Sequence, residues 1–412
     1  VYYDLQASTG NPDFNGANLG SFNSTNSLTL KGAEHNVYKC GGCDLTSTRL
    51  YYRVYLTGST PGAFSNLDIG CSSGGANGCG GQDQQWSNTG YSTNVLTGLP
   101  AGNYTFEVYS DASVTCEGGT VYAGNLGLNY KASFTYCGTP TGPLSPGNYS
   151  IPDCFSTVAA AATYLNANGS TGTGTIQFDV AAGHTETVPA TGIILSGIGT
   201  AGSLATGTAT RPIVFKKNGV GANPKLRAAL WTAGGNFDGI IKIAGGDYIT
   251  FDGFTLEENP SNTVVATGAT NTMTEVGFGL FIGAATNGAQ NNTIKNCTIT
   301  LNENYPNSVG VFSTSASVAA GTTLAATSSA GTNSFNTFVS NTISNVAYGI
   351  YLIAQPVTAT VNETGNVIGG STPALGNTIT FGNPTIALGT GVWSRFSGLA
   401  IAGIHYRNGG DV

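Results

Sequence analysis

Charged side chains are scarce in this sequence. They make up 8% of its 412 residues, whereas an average soluble domain has about 25%. The 14 Lys and Arg residues form no basic cluster, and the 21 Asp and Glu residues leave a net charge of −7. This balance argues against a nucleic-acid partner and against attraction to anionic lipid.

Long apolar runs are also missing, since none approaches the 18 residues that a transmembrane helix needs. The chain is still rich in core-forming side chains, with 19 Tyr and 18 Phe, which argues against disorder. Its 61 Gly residues, with abundant Thr, Ser and Asn, favour many short strands joined by tight turns. The composition therefore predicts an all-β protein.

The first residue is Val1 rather than Met, and the alternating strand pattern starts at once in "VYYDLQAS". This start predicts a mature N-terminus from which an export signal was removed, although a trimmed chain would look the same. The chain ends in "IHYRNGGDV", within a repeat. We therefore expect the natural protein to continue beyond Val412, or another subunit to cover this end.

The cysteines support export, because seven of the eight lie within the first 154 residues. An even, clustered set predicts a disulfide framework. Its most plausible local pairs are Cys71 with Cys79 and Cys116 with Cys137, while Cys40 and Cys43 close a small ring or pair elsewhere. A zinc site built from Cys40, Cys43, Cys71 and Cys79 is the competing interpretation, but the second pair is too widely spaced. Cys297 lies alone, as a buried core residue.

The chain divides into three parts by pattern. Residues 1–137 alternate like an antiparallel β-sandwich, and residues 138–147 ("GTPTGPLSPG") form a Pro/Gly linker. Residues 148–412 are predicted to wind as a parallel β-helix. The stretch "CFSTVAAAATYLNAN" near its start predicts a short helix that caps the open end of the coil stack.

A repeat supports the β-helix. "YITFDGFTLEEN", "NNTIKNCTITLNEN" and "FNTFVSNTISN" align so that Leu256, Ile299 and Ile343 share a column, 43 and 44 residues apart. The motifs "GLFI", "GVFS", "GIYL", "GVWS" and "GIHY" form a second unit between them. We interpret each step as two coils of about 22 residues. Stacked Asn and Thr side chains at the bends would pair along the axis. A propeller has repeats of similar length, but the hairpin turns of its blades are missing.

These segments resemble known families. The coil motifs look like those of the pectin-lyase-like right-handed β-helix superfamily. "LTGLPAGNYTFEVYSDA" resembles a strand of immunoglobulin-like or carboxypeptidase-regulatory-like modules. The opening "YYDLQASTGNPDFNGANLGSF" and "GTIQFDVAAGHTETVPATGIIL" are similar to Bacteroidetes surface proteins. That resemblance implies export by the type IX secretion system, a cell-surface location and a role in adhesion or gliding.

The superfamily includes polysaccharide-degrading enzymes, but their motifs are missing here. Polygalacturonase-like enzymes carry Asn-Thr-Asp, Asp-Asp, Gly-His-Gly and Arg-Ile-Lys, and Gly183-His184-Thr185 is the nearest match. Pectate-lyase-like enzymes need clustered Asp ligands for calcium with a basic residue. Between residues 260 and 400 the acidic residues are Glu275, Glu303 and Glu363, and the basic ones are Lys295 and Arg395.

The remaining catalytic candidates are Glu258 and Glu303, in the loops "LEENP" and "LNENYP". Stacked coils would bring them together as a retaining-glycosidase pair or as a weak calcium site. We favour the simpler interpretation of two solvated carboxylates with no cofactor.

The aromatic residues Tyr305, Trp393, His405 and Tyr406 would suit a sugar-stacking platform, although some are expected to point into the core. We therefore expect a non-enzymatic adhesin or filament component, whose partners are export machinery, surface assembly partners or glycans. The alternatives are a polysaccharide-degrading enzyme or tailspike-like depolymerase, and a secreted module whose N-terminal sandwich is an assembly interface.

Overall fold

The computed structural model describes residues 1–6, 8–37, 44–76, 82–115, 119–138, 142–197, 205–230, 237–263, 274–305, 307–318, 324–354, 361–380 and 404–407. The chain forms two compact units, Val1–Pro140 and Thr141–Val412. Part of the segment expected as a linker belongs to the second unit: the backbone N–H of Leu144 donates to the Gly169 carbonyl oxygen at 3.0 Å.

The first unit consists of strands with one short 3-10 helix at Asn125–Gly127. The strands are β1 (Asn18–Phe22), β2 (Thr29–Leu30), β3 (Ala33–Val37), β4 (Leu45–Leu56), β5 (Ser65–Ala76), β6 (Gln82–Asn88), β7 (Thr93–Asn94), β8 (Gly102–Val114), β9 (Thr120–Ala123) and β10 (Tyr130–Tyr136).

Eight of these strands form one sheet in the order β1-β10-β8-β4-β5-β6-β3, with β9 paired to β8, while β2 and β7 form a small separate sheet. The pairs are antiparallel except for β1 with β10. Alternate residues of β4 and β8, such as Leu50 and Phe106, are buried in one apolar core. The opposite face carries Arg49, Arg53 and the carboxylates that they bind.

The second unit consists of coils. Its elements are β11 (Gly147–Ile151), α1 (Val158–Asn168), β12 (Ile176–Ala181), β13 (Thr185–Thr187), β14 (Ile193–Ser196), β15 (Ile213–Asn218), β16 (Lys225–Arg227), β17 (Phe237–Ala244), β18 (Ile249–Asp252), β19 (Thr255–Glu257), β20 (Thr274–Phe281), β21 (Thr293–Lys295), β22 (Thr298–Thr300), β23 (Ser308–Thr314), β24 (Thr337–Val339), β25 (Thr342–Ser344), β26 (Tyr348–Ile353), β27 (Val367–Ile368), β28 (Thr378–Thr380) and β29 (Ile404–Arg407), with 3-10 helices at Ser329–Gly331 and Pro373–Leu375.

These strands form three parallel sheets, one strand from each per coil. The first sheet runs β11-β12-β15-β18-β21-β24-β27, the second β13-β16-β19-β22-β25-β28, and the third β14-β17-β20-β23-β26-β29. The predicted helix is present as α1, with the Thr157 side chain accepting from the Ala160 N–H at its start. Its buried residues, including Leu165, share the core of the coils.

The predicted column of Leu256, Ile299 and Ile343 is confirmed, since each is the direct register partner of the next. The interpretation of each step as two coils is wrong. Because Leu256 pairs directly with Ile299, the 43-residue step is a single coil. The extra length lies in the long connections before and after the third sheet. The prediction of two coils was wrong because it assumed the usual coil length of about 22 residues.

The glycine motifs mark where the second and third sheets approach each other most closely. A Cβ on Gly277 would lie 2.6 Å from the Ile299 side chain, and one on Gly310 would lie 2.5 Å from Ile343. Gly277, rather than Gly279 of "GLFI", aligns with Gly310, because Phe278 pairs with Val311. The "GLFI" copy was therefore misaligned by two residues, which a period-two pattern cannot reveal. The copies "GVFS", "GIYL" and "GIHY" align as predicted.

Buried asparagines link successive coils, as the repeat predicts. The Asn292 backbone N–H donates to Asn336 Oδ1 at 3.0 Å, and Asn336 Nδ2 donates to the Ala289 carbonyl oxygen at 2.9 Å. The Asn336 N–H in turn donates to Asn366 Oδ1 at 2.8 Å. Each side chain thus satisfies backbone groups that a bend would otherwise leave unpaired.

Candidate functional site

The two acidic residues predicted from the sequence follow strands of the second sheet. Glu258 comes directly after β19, and its backbone N–H donates to the Thr300 carbonyl oxygen at 2.9 Å. Glu303 comes three residues after β22, on the next coil. The carboxyl group that lies beside Glu258 is that of Glu275, because the Asn262 side chain donates to both. Sequence reasoning did not assign Glu275 to a site.

Glu275 lies near the start of β20, in register with Asp238 of β17. The turn after β19 reaches this point through Asn262, whose Nδ2 lies 3.0 Å from Glu275 Oε1 and 3.3 Å from Glu258 Oε1. We call Asp238, Glu258 and Glu275 the carboxyl cluster. Three segments that are distant in sequence therefore bring three acids together at one end of the third sheet.

Burial dominates the electrostatics of the carboxyl cluster. Glu275 is 3% exposed, and its Oε2 is buried with no hydrogen-bond partner in the described part of the chain. Burial and the nearby Glu258 carboxyl raise the pKa of Glu275 to about 9. Burial also raises the pKa of Glu258, and it raises that of Asp238 to about 6 with Glu258 adding to the effect. Glu275 is therefore protonated at neutral pH.

The groups around the carboxyl cluster offer little positive charge. Lys242 is buried, its Nζ donates to the Phe237 carbonyl oxygen at 3.2 Å, and burial lowers its pKa despite the neighbouring Asp238. Tyr305 faces the same acids, and burial together with Glu275 raises its pKa to about 12. Among the described residues, no group of three or more His, Cys, Asp or Glu is arranged to hold a metal ion.

The contact between Glu258 and Glu275 limits what these groups can do chemically. A retaining glycosidase holds its two carboxyls about 5–5.5 Å apart, with the scissile bond between them. Here Asn262 Nδ2 is hydrogen-bonded to both the Glu258 and the Glu275 carboxyl, so an amide occupies the space where a glycosidic bond would have to lie. The arrangement instead resembles two acids that share a proton.

The predicted aromatic platform is only partly within the described residues. Tyr305 is completely buried, so its expected exposure was wrong: the turn after β22 directs the ring inward. Trp393 and the side chains of His405 and Tyr406 lie outside the described residues. Sequence reasoning missed an aromatic cluster of the third sheet, in which Phe281 and Phe312 pack with Tyr351 and neighbouring apolar residues. In the sequence, the aromatic residues of "GVFS" and "GIYL" could have indicated this cluster.

The cysteines pair differently from the sequence prediction. Cys137 is disulfide-bonded to Cys154, so the expected Cys116–Cys137 pair was wrong. Local spacing cannot reveal a partner that the fold supplies. Cys71 in β5 has a free, exposed thiol. Because the Cys71 thiol is free, the expected Cys71–Cys79 pair was wrong. Cys40, Cys43, Cys79 and Cys116 lie outside the described residues, and the Cys40/Cys43 ring stays a prediction.

Cys297 is buried as predicted. Burial raises the pKa of its thiol to about 12. The thiolate needed for nucleophilic attack or metal binding is therefore not formed at neutral pH.

Residues 238–411 match a family model described as a right handed beta helix region. The matched segment begins in β17 and contains the carboxyl cluster. It supports the pectin-lyase-like β-helix fold expected from the repeats, and the second unit is a right-handed parallel β-helix. No curated protein and no solved structure matches the chain. This fold is compatible with both adhesin and polysaccharide-degrading roles. None of the helices in the described ranges has the length and apolar character to cross a bilayer.

Proposed function

We propose that the protein is a non-enzymatic extracellular protein of a bacterial cell surface, acting as an adhesin or as a component of a surface filament. In this proposal the first unit is a β-sandwich, with an Ig-like or jelly-roll-like arrangement. The second unit is a rigid scaffold that presents the same backbone geometry coil after coil. Glycans and surface assembly partners are the ligands that suit such a repeated face.

The observation that carries this proposal is the position of the repeated polar residues. Asn292, Asn336 and Asn366 are buried and bind backbone groups of adjacent coils. The outer face of the second sheet repeats short hydroxyl side chains, with Thr298 in register with Thr342 and Thr300 with Ser344. The polar residues of the repeat thus hold the coils together or form a uniform surface, and neither use requires catalysis.

Export by the type IX system, and a role in gliding, remain part of the proposal. They are supported by the resemblance of "YYDLQASTGNPDFNGANLGSF" and "GTIQFDVAAGHTETVPATGIIL" to exported surface proteins. The clustered cysteines and the low charge agree with an oxidising, extracellular location.

The second candidate function is polysaccharide degradation, and the carboxyl cluster is the observation that favours it. Glu275 is a protonated acid beside a second carboxyl, which is the protonation state of a general acid. The Asn262 side chain that bridges Glu258 and Glu275 counts against it. Glu303 remains the other candidate partner, either for catalysis or for a structural calcium ion.

The two candidates separate in one set of assays on the purified chain. We expect the protein to adhere to polysaccharide-coated surfaces and to release no reducing ends from soluble glycans. The matched variants are Glu258→Gln, Glu275→Gln and Glu303→Gln. Release of sugar ends that disappears in one of these variants would overturn the adhesin proposal. A rise in melting temperature with calcium that is lost in Glu303→Gln would support the calcium site.

A further inference from the structure

The turn at residues 258–263 is attached to the third sheet through its side chains. Within the turn, the Asn259 N–H donates to Glu258 Oε1 at 2.7 Å, and the Asn262 N–H donates to the Asn259 carbonyl oxygen at 2.8 Å. Asn262 Nδ2 then bridges Glu258 and Glu275. Both acids accept from the same amide nitrogen, so their carboxyl groups are held side by side.

We propose that Asp238, Glu258 and Glu275 form a proton-operated latch, which holds the turn at residues 258–263 against β20 in acid and releases it as the pH rises. Asn262 Nδ2 holds the two buried carboxyls side by side, and this arrangement requires that one of them keeps its proton, because two carboxylates this close repel each other. Release transfers one proton from the carboxyl pair to solvent, breaks the hydrogen bond between Asn262 and Glu275, and changes no other covalent bond. The inference concerns the β-helix itself and is independent of the proposed function.

The charges around the latch make the proton necessary. β17 contributes Asp238 and Lys242, β20 contributes Glu275, and the turn contributes Glu258. Tyr305 faces the acids from the next coil and is neutral. Full ionisation would place three negative charges against one lysine whose burial disfavours its own charge. Buried like charges this close repel strongly.

The turn is the part that moves when the proton leaves. β20 pairs with β17 on one side and with β23 on the other, so Glu275 is held by strand pairing in both directions, and Asp238 is held by its pairing with β20. Glu258 is half-buried and stands just outside β19. Repulsion is therefore relieved most easily by displacing Glu258 and Asn262 toward solvent.

The direction of the pH effect follows from which state of the latch binds the proton more tightly. The closed latch binds a proton at Glu275 up to about pH 9, whereas an exposed glutamate loses it near 4.5. Raising the pH through this interval withdraws the proton and favours the open turn. The latch is therefore closed in mild acid and weakens progressively toward alkaline pH.

Hydrogen exchange of the full chain, followed by mass spectrometry at pH 5.5 and pH 9.5, tests the latch. Protection factors are corrected for the intrinsic pH dependence of exchange. We expect protection of a peptide covering residues 256–263 to fall at least about tenfold between the two pH values, which corresponds to one pKa unit. A peptide covering β18 is expected to keep its protection.

Glu275→Gln is the decisive variant, because its amide cannot ionise. We expect its turn to keep nearly the same protection at both pH values. Glu258→Gln gives the same expectation from the other side of the pair, in case the first variant folds poorly. Glu257→Gln is the matched control: this adjacent glutamate binds Lys225 and Arg227 outside the latch, so its variant retains the wild-type pH response. An unchanged wild-type turn, or a full pH response in Glu275→Gln, would overturn the proposal.

Discussion

The two units bury glutamates to nearly the same depth but neutralise them in opposite ways. Glu107 in the first unit is 2% exposed, and Glu275 in the second is 3% exposed. Arg53 Nη2 lies 2.9 Å from Glu107 Oε2, and Asn129 Nδ2 donates to Glu107 Oε1 at 2.6 Å. Glu275 has another acid beside it in place of a cation, and it retains a proton instead.

The difference also appears in the direction of the pKa shifts. Burial tends to raise the pKa of Glu107, but hydrogen bonds from Asn129 and Arg53 outweigh it and lower the pKa. Burial prevails in the second unit, where it raises the pKa of Asp247 to about 6 and that of Glu363 to about 8. A chain with 14 basic residues thus stabilises buried acids either with cations or with protons.

Removing the cation from Glu107 is expected to have the largest effect. Arg53→Ala leaves a buried carboxylate without its ion pair and removes the guanidinium that packs 4.0 Å from the Phe64 ring centre. We expect the first unit to lose about 3 kcal/mol of unfolding free energy in chemical denaturation. Adding Glu107→Gln to Arg53→Ala removes the unpaired charge and should recover part of the loss. If the double variant recovered no stability, the loss would come from the missing packing of Arg53 against Phe64 and not from the unpaired charge of Glu107.

The second-largest effect is expected from the uncharged links of the second unit. Asn336→Ala removes the acceptor of the Asn292 N–H and the donor to the Ala289 carbonyl oxygen, both in the buried coil interior. Leaving these groups unpaired should cost about 2–3 kcal/mol in thermal or chemical unfolding. Thr342→Ala, at an exposed site of β25, is the control and should change stability by less than about 0.5 kcal/mol. If the two variants lost equal stability, the buried asparagines would not be what stabilises the stacking of the coils.

The coil architecture could be predicted because the same short motif recurs at a regular interval along the sequence. The column of Leu256, Ile299 and Ile343 and the run of Ala residues in α1 both report local chemistry. The carboxyl cluster was not predictable, because Asp238 and Glu275 meet only after one coil is laid upon another. Register between coils depends on loop length, and loop length carries no periodic signal.

The disulfide shows the same limit. Cys137 is bonded to Cys154, whereas the sequence prediction paired it with Cys116. Cys154 and Cys116 lie 17 and 21 residues from Cys137, which is too similar for loop closure to choose between them. The fold therefore determines which thiols meet. The chemical type of each site could thus be predicted, whereas its partners could not.

A pH titration should separate the two units. Glu107 has a lowered pKa, and burial lowers the pKa of His35 from 6.5, so the first unit loses stability as the pH falls through these groups. Glu275 has a raised pKa, so the second unit loses stability as the pH rises from about 4.5 to 9. Peptide-resolved hydrogen exchange at pH 4, 7 and 9 checks this, with an expected change of about tenfold per pKa unit. Parallel changes in both units would contradict the comparison.

Glu186 gives the smallest expected effect and the sharpest exception. In the described part of the chain this buried acid of the second unit pairs with no arginine or lysine, although His184 Nε2 lies 3.5 Å from its Oε2. Its two carboxylate oxygens accept from the Val158 and Ala159 N–H groups at 2.8 and 3.0 Å, at the positive end of α1. Glu186→Gln keeps one acceptor and should cost about 1 kcal/mol, whereas Glu186→Ala removes both and should cost about 2 kcal/mol in thermal unfolding. If the two variants lose equal stability, the negative charge rather than the pair of hydrogen bonds holds the helix, and backbone N–H groups then serve the second unit as the arginines serve the first.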